Sequence, residues 1–563
     1  MPEARLKKTL PFWCWSLFAG GLLGLSVPGS DLPLLGLLAL FPLLLALEQI
    51  QHSTRPTHFK IMQSFFACYL CASLSTTIGT AWITNSAYVF GHLPWSVSLL
   101  ITGAGYGLEV ALMLFIFFAF PLFWISSEGW QDLPARLFFA LALEAVYPRF
   151  IQWNLGGLTF NHIPWISQLA DVIGSSGLGF YSIAFSMFLL LLWRKNIWKH
   201  NISTQICFSF GSLFLILLGL GFAYGAWRSQ DLASQNLGTE SLSTEPSTQK
   251  SIEVVALQPN FSLKHLASNP KLAYSDRSRN LQTLLNDSKL ALASQSDSVA
   301  TQQKNDIPRL LVWPESTYPT PYFKDTVSQR RLAQFAKTQG TGVLLSSMDW
   351  EEFSSPQPGM RRRFKFYGVS ALLGTEGELV GRYNKIFLIP FGEYIPGATW
   401  FPAFASMLRQ NIQNLSEFEA GTEYTVWDWK GIKIAAPICF DIFLPEITRN
   451  MVRNGADLII NLSNLAWFGK TNASDSMEMI ARWRAIENRV PILFVSNNGK
   501  SVYISENGEN LSPQLGLFEE GFLSQTIQLR KHSSFYRKYA EWVHLAWALL
   551  FLLMLGLEHR SRK

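Results

Sequence analysis

The globular half of this chain is nearly free of cysteine. Of the five cysteines in 563 residues, Cys14, Cys68, Cys71 and Cys207 fall in long apolar runs, and Cys439 alone lies in a stretch of ordinary composition. That excludes a disulfide framework there, whichever compartment the stretch faces. A basic stripe with interleaved aromatics is also missing, despite a formal net charge of +6, which argues against nucleic acid as a partner. Cys68 and Cys71 spell C-x-x-C, but no histidine and no βαβ pattern accompany them, so neither a redox motif nor a metal site is expected. No residue cluster asks for a metal or a cofactor.

What the sequence does have is apolar length, unevenly spread. Runs at about 10–27, 32–49, 61–84, 95–125, 134–148, 166–193 and 203–226, with an eighth at 541–557, read as membrane spans, the fifth being short. The chain therefore divides into a membrane domain (1–227, seven helices), a polar linker (228–251), a soluble α/β domain (252–530) and a final span (541–557). The linker, low in aromatics, reads as a flexible tether. Positive charges set the direction. Arg5, Lys7 and Lys8, then Arg55 and Lys60, then Arg136, Arg194, Lys195 and Lys199, and finally Arg560, Arg562 and Lys563 mark one side. By the positive-inside rule both termini are cytoplasmic and the soluble domain lies across the membrane, in a bacterium the periplasm. Basic and then apolar, the N-terminal run has no small-x-small cleavage site and reads as a retained span. Glu144 lies inside a span, where a charge is functional or paired, or else it sits near the interface beside Arg149. Gly20 and Gly24 read as a helix-packing pair.

In the soluble part, strands such as IEVVALQPN, RLLVWPES and GVLLSSM alternate with helical runs, and several are apolar throughout. This pattern predicts a layered α/β domain with both sheet faces covered. The stretch around Cys439 is its centre: a strand, KIAAPI, ends at the cysteine, an amphipathic run follows, and then a buried strand, DLIINLS. A cysteine at such a junction faces a helix N-terminus that favours its thiolate, or else is a small buried hydrophobe. Glu315 and Lys385 stand at comparable strand ends. An acid, an amine and a thiol suit acyl transfer: the carboxylate takes the thiol proton, the thiolate attacks a carbonyl, and the ammonium with a backbone N–H holds the oxyanion.

The motifs W-P-E-S at 313–316, Y-N-K at 383–385 with P-F-G-E-Y at 390–394, and I-C-F-D at 438–441 resemble the Glu-Lys-Cys signature of the nitrilase superfamily. With N-x-S-N-x-A-W-F-G at 461–469, N-N-G at 497–499 and the span pattern, the whole chain resembles the membrane-embedded apolipoprotein N-acyltransferase family. The resemblance implies an αββα sandwich inserted between seven spans and one. It also implies transfer of the sn-1 acyl chain of a phospholipid to Cys439 as a thioester, then to the amine of a diacylglyceryl-modified N-terminal cysteine on an apolipoprotein. In its terms Glu315 is the general base, Lys385 the oxyanion group, Cys439 the nucleophile and Glu393 the second carboxylate. Phe440 and Asp441 stand where the family has Tyr-Glu, and Trp467 and Phe468 where it has an apolar arm at the lipid entrance, core packing being the other reading of that pair. Departures fall at Leu465, in place of an aspartate, at Phe440 and Asp441 themselves, in KTNASDSMEM, which lacks the family's histidine, and at Lys264-His265, in place of Lys-Trp. They bear on acceptor and donor recognition.

Both substrates are lipids, so a domain facing the bilayer meets them without extracting whole chains, which would cost about 0.8 kcal/mol per exposed methylene. Water must be kept from the thioester, and the apolar cluster Trp400-Phe401, Phe404 and Met407-Leu408 marks 400–418 as an amphipathic lid. The alternatives are a membrane-anchored amidase that hydrolyses its acyl-enzyme, a transporter or sensor whose outer domain only binds, and a catalytically silent paralogue.

Overall fold

The computed structural model describes all residues except 1–9, 31, 90, 126–128, 145, 152–153, 242–249, 263–273, 295–306, 319, 354–362, 412–417, 512–513 and 563. Among the described residues, eleven strands form two sheets. The first has the order β11 (Gly521–Leu529), β1 (Lys250–Gln258), β2 (Arg309–Val312), β3 (Gly342–Phe353), β4 (Arg363–Leu373), β5 (Leu379–Asn384). The second runs β10 (Val502–Ile504), β9 (Ile492–Ser496), β8 (Leu458–Ser463), β7 (Ile432–Ala435), β6 (Trp427–Trp429). Each sheet has parallel strands at its centre, β1–β2–β3 and β7–β8–β9, with antiparallel strands outside them.

Alternation along the strands dictates the layering. Val255, Leu257, Leu311, Val343 and Leu345 point to one face and pack with Leu281 and Leu284 of helix Tyr274–Ala293 and Leu332 and Phe335 of helix Thr326–Gln339. Their neighbours Val254, Ala256, Leu310, Val312 and Leu344 point the other way, into the core shared with Ile434, Leu458, Ile460 and Leu462 of the second sheet. Helices Pro445–Arg453 and Ala473–Asn488 cover the far side of that sheet, burying Ile447, Met451, Met477 and Ile480. The result is a helix–sheet–sheet–helix sandwich.

Among the described residues, four helices are long and apolar enough to cross a bilayer: Thr57–Gly79, Trp95–Phe123, Thr204–Gln235 and Phe535–Ser561. A fifth crossing is available if Ala170–Gly177 and Gly179–Asn196, bent by 58°, count as one. At the other three expected positions the helices are shorter: Phe12–Leu25 has 14 residues, Leu35–Gln51 has 17 and Asp132–Glu144 has 13. At 1.5 Å per residue, 13 or 14 residues fall short of a hydrocarbon core of about 30 Å. The chain is a multi-pass membrane protein with its sandwich set between these helices. Gly20 and Gly24 do pack closely, since a Cβ at either would strike the Thr57–Gly79 helix at Cys71 or Ile78.

Two sequence expectations change. Helix Thr204–Ser241 carries on through 228–241, so most of the expected tether is helical, and β1 already begins at Lys250. Arg136 and Arg194, counted from sequence among the charges that set the orientation, are buried in one ion-pair network with Glu48 and Asp132 at 2.7–2.9 Å. They pin three helices together, so the orientation argument rests on the remaining basic residues. Glu144 pairs with Arg149 at 2.8 Å.

Candidate active site

Four side chains converge at the carboxyl ends of strands, where open α/β sheets place their ligands. Glu315 leaves β2 after Trp313, whose buried ring is anchored by Nε1 donating to Ser288 Oγ at 3.0 Å. Lys385 follows β5 directly, its backbone N–H donating to Gly368 O at 2.9 Å. Glu393 sits eight residues on, in the loop after β5. Cys439 follows β7 and opens a 3-10 turn, Cys439–Phe443.

Lys385 Nζ lies 2.7 Å from Glu393 Oε1 and 3.5 Å from Glu315 Oε1. Glu315 accepts the backbone N–H of Asn464 at 2.9 Å on its other oxygen and stands near enough to Cys439 to bear on the thiol's protonation. Glu393 Oε2 accepts the N–H of Ile389 at 2.9 Å. Lys385 and Cys439 are buried, 1% and 2% exposed, while the Glu315 and Glu393 side chains keep 14% and 17% of their surface.

Burial and charge then set the protonation states. Burial, and after it Glu315, push the Cys439 thiol well above its ordinary range, with Lys385 pulling the other way. Burial also raises Glu315, against the pull of Lys385. For Lys385 burial opposes the charge, but Glu393 and Glu315 outweigh it and hold the ammonium well above the usual lysine range. A resting thiol beside a carboxylate and a fixed ammonium follows. The sequence reading expected a helix N-terminus to favour the thiolate, but the regular helix begins only at Pro445, so that dipole is displaced from the sulfur.

Backbone strain marks the same place. Ser316, Phe391 and Cys439 are non-glycine residues with φ of +62°, +62° and +49°. Each such residue costs on the order of 1–3 kcal/mol and persists only where its surroundings over-determine it. At Cys439 the surroundings are Asn461, whose Nδ2 donates to Cys439 O at 3.2 Å, and the turn closed by Asp441 N–H on Ile438 O at 3.0 Å.

Asp441 ties the site together. Fully buried, its carboxylate accepts from Phe387 N (2.7 Å), Ile386 N (3.1 Å), Ile438 N (2.9 Å) and the Tyr383 hydroxyl (2.8 Å). It thereby registers the residues after Lys385 against the residue before Cys439. Burial pushes Asp441 up to about 6, with Lys385 and the N–H donors pulling it back. Protonation would convert one accepting oxygen to a donor among four donors, so kcat for acyl transfer should fall as pH drops through about 6. Asp441→Asn should be slow at every pH and lose that inflection. A profile flat from pH 5 to 7 in the unaltered protein would contradict this.

Phe440 stacks on Phe443 (centroids 4.8 Å apart) and meets Trp82 of the membrane domain at 6.1 Å and Phe468 at 6.0 Å. Phe468 is buried, 5.0 Å from Trp82, while Trp467 is half-buried and its carbonyl accepts from Ser86 Oγ at 2.9 Å. Leu465 is buried beside Gly499. Lys264 and His265 lie outside the described residues. Sequence reasoning named the N-x-S-N motif but not its parts: Asn461 on the nucleophile's carbonyl, Asn464 on the base. It quoted Tyr383 within Y-N-K but gave it no role.

Residues 254–537 match the carbon-nitrogen hydrolase family, and residues 19–189 match the apolipoprotein N-acyltransferase N-terminal domain. An apolipoprotein N-acyltransferase of Geobacter metallireducens is 27% identical over 95% of this chain and 92% of its own. One from Bdellovibrio bacteriovorus is 27% identical over 89% and 88%. Among solved structures, nitrilase-superfamily Nit3 of Saccharomyces cerevisiae is 19% identical, covering 51% of this chain and 93% of that one, with a TM-score of 0.35.

Proposed function

From the premise that this chain belongs to the carbon-nitrogen hydrolase family and is an N-acyltransferase of the apolipoprotein type, acting in lipoprotein maturation, we propose a donor, an acceptor and a residue-level mechanism. The donor is a phospholipid and the acceptor the α-amine of a diacylglyceryl-modified N-terminal cysteine. The observation that carries this reading is the pairing of Lys385 with both Glu315 and Glu393, with Lys385 and Cys439 buried in the same cluster.

In the first step Glu315 takes the thiol proton as the sulfur attacks the sn-1 ester carbonyl. A general base so placed is worth about 10²–10⁴ in rate. The Lys385 ammonium faces the oxygen that becomes negative, and Glu393 holds that ammonium in place. The ester C–O bond breaks, and the lysophospholipid leaves with the proton from Glu315. In the second step the acceptor amine attacks the thioester, Glu315 takes its proton, and the C–S bond breaks to return that proton to the thiol.

The catalytic domain (252–530) works on the periplasmic side of the inner membrane, set between the spans that precede it and the one that follows, with both termini cytoplasmic. The basic residues Arg5, Lys7, Lys8, Arg55, Lys195 and Lys199 support that orientation. Phe440, Trp467 and Phe468 line the way from the bilayer, an assignment supported by the packing of Phe440 and Phe468 on Trp82 and by the Ser86 hydroxyl donating to the Trp467 carbonyl. Helix Pro402–Asn411 acts as the lid, with Trp400 82%, Phe401 64% and Met407 49% exposed at its start and along it.

An assay with full-length protein in vesicles tests the reaction. Phospholipid labelled in its sn-1 chain should pass label to a diacylglyceryl-cysteine peptide and leave lysophospholipid. Release of the label as free fatty acid, with none on the peptide, would instead identify an amidase-type hydrolase.

A further inference from the structure

Far from the thiol, one buried carboxylate gathers both chain crossings between the membrane helices and the sandwich. Asp171, in the bent segment Ala170–Gly177, is 2% exposed. Its Oδ1 accepts the Tyr224 hydroxyl at 2.6 Å, and its Oδ2 accepts Arg228 Nε and Arg489 Nε, each at 2.9 Å. Tyr224 and Arg228 belong to the helix that leads into the soluble domain. Arg489 caps helix Ala473–Asn488, packed on the second sheet, in a left-handed conformation. The chain leaving the domain joins too: Arg228 Nη2 donates to Ser533 O at 2.6 Å, and Ser534 Oγ to the carbonyls of Glu487 (2.5 Å) and Asp171 (3.3 Å).

The remaining donors are occupied in the same direction. Arg489 Nη1 donates to Gln168 Oε1 at 2.6 Å, and Ser175 N–H to Glu487 Oε1 at 2.9 Å. Gly174, at φ +74°, is the break that lets this segment turn back. A Cβ there would lie 2.6 Å from the ring of Tyr536, the buried second residue of the last helix. Two guanidinium groups share one carboxylate, so removing Asp171 would leave like charges face to face in a dry junction.

We propose that this Asp171–Arg228–Arg489 hub clamps the sandwich onto the membrane helices and sets the height and tilt of Cys439 over the bilayer, with Asp171 as its positioning residue. Helix Ala473–Asn488 links the two sites. Its C-terminus is in the hub, and the strand-to-helix loop before its N-terminus carries Asn464, which holds Glu315. The clamp matters for a substrate fixed in a membrane and not for one that diffuses in from water. The inference rests on the acyl-transfer reading above.

The experiment uses full-length protein in phosphatidylethanolamine vesicles and two acyl donors, the vesicle lipid and water-soluble 4-nitrophenyl acetate. Asp171→Asn should lower kcat/KM for the vesicle lipid at least tenfold and change acylation by the soluble ester less than twofold. Tyr224→Phe should move the same ratio less, in the same direction, and Asp171→Glu should partly restore it. Equal loss on both donors in Asp171→Asn and in Tyr224→Phe, or unchanged use of the vesicle lipid in Asp171→Asn, overturns the proposal. Cys439→Ala, run in parallel, should lose both donors. If it keeps them, the covalent reading fails, and that result is separate from the ratio.

Discussion

Glu315→Gln is expected to lower kcat for acyl transfer about 10²–10⁴-fold without unfolding the domain. The glutamine keeps a carbonyl oxygen for the Asn464 N–H, so the β2 end and the 464 loop stay joined. What is lost is the acceptor for the thiol proton. Because Glu315 is one of the groups that raise the thiol, its replacement by a neutral amide should bring Cys439 down toward the ordinary range. The variant should therefore alkylate with iodoacetamide at neutral pH faster than the unaltered protein while transferring acyl chains far more slowly. It should also regain part of its rate as pH rises and the thiol ionises unaided. A parallel loss of alkylation and transfer would show that Glu315 builds the pocket but does not move the proton.

Lys385→Met should be as severe for a different reason. The ammonium is the fixed positive charge against which oxyanion charge develops, and one such donor is worth about 10²–10³ in kcat. Its loss also leaves Glu315 and Glu393 facing each other without the cation between them. Since Lys385 holds both Glu315 and Asp441 down against burial, the acid limb of any residual activity should move to higher pH. Lys385→Arg should not rescue: a planar fork fills more space than the compact ammonium in a site 1% exposed. A residual profile with an unmoved acid limb would separate Lys385 from the base.

The outline of this site was legible because two of its three reactive residues follow apolar strands, and such ends survive in sequence as a reactive side chain after a hydrophobic run. Glu315 after RLLVWP and Cys439 after KIAAPI are of that kind, while Lys385 follows the mixed, part-exposed strand LVGRYN and was marked by its motif. The two sheets were less visible. The short strand Trp427–Trp429 is three residues long, and Gly521–Leu529, which closes the first sheet against β1, alternates weakly because its outer face is half-exposed. Backbone strain left no trace, since Ser316, Phe391 and Cys439 take positive φ without the glycine that would announce it. Asp441 looked like a shortened stand-in for the family's glutamate. Only the fold shows that its reach matches four donors drawn from two separated segments, 383–387 and Ile438.

The membrane half was legible as apolar length but not as crossings. Composition cannot say that the fifth run ends after 13 helical residues, nor that the sixth breaks at Gly174. Arg136 and Arg194 show the same limit. A sequence counts their charge, while the fold spends it on Glu48 and Asp132 inside the helix bundle. The polar 228–251 segment misled for a related reason: low apolar content reads as a tether, yet Arg228 and Asp231 are held by pairing and extend the helix toward the domain.

Whether the sulfur itself carries the acyl chain decides the rest. Full-length protein in phospholipid vesicles, with no acceptor present, would be quenched in acid, digested, and the peptide bearing Cys439 weighed by mass spectrometry. The expected spectrum shows that peptide heavier by one fatty acyl chain, the addition removable by hydroxylamine and discharged when a diacylglyceryl-cysteine peptide is supplied before the quench. An unmodified Cys439 in protein that still transfers acyl chains would contradict the mechanism.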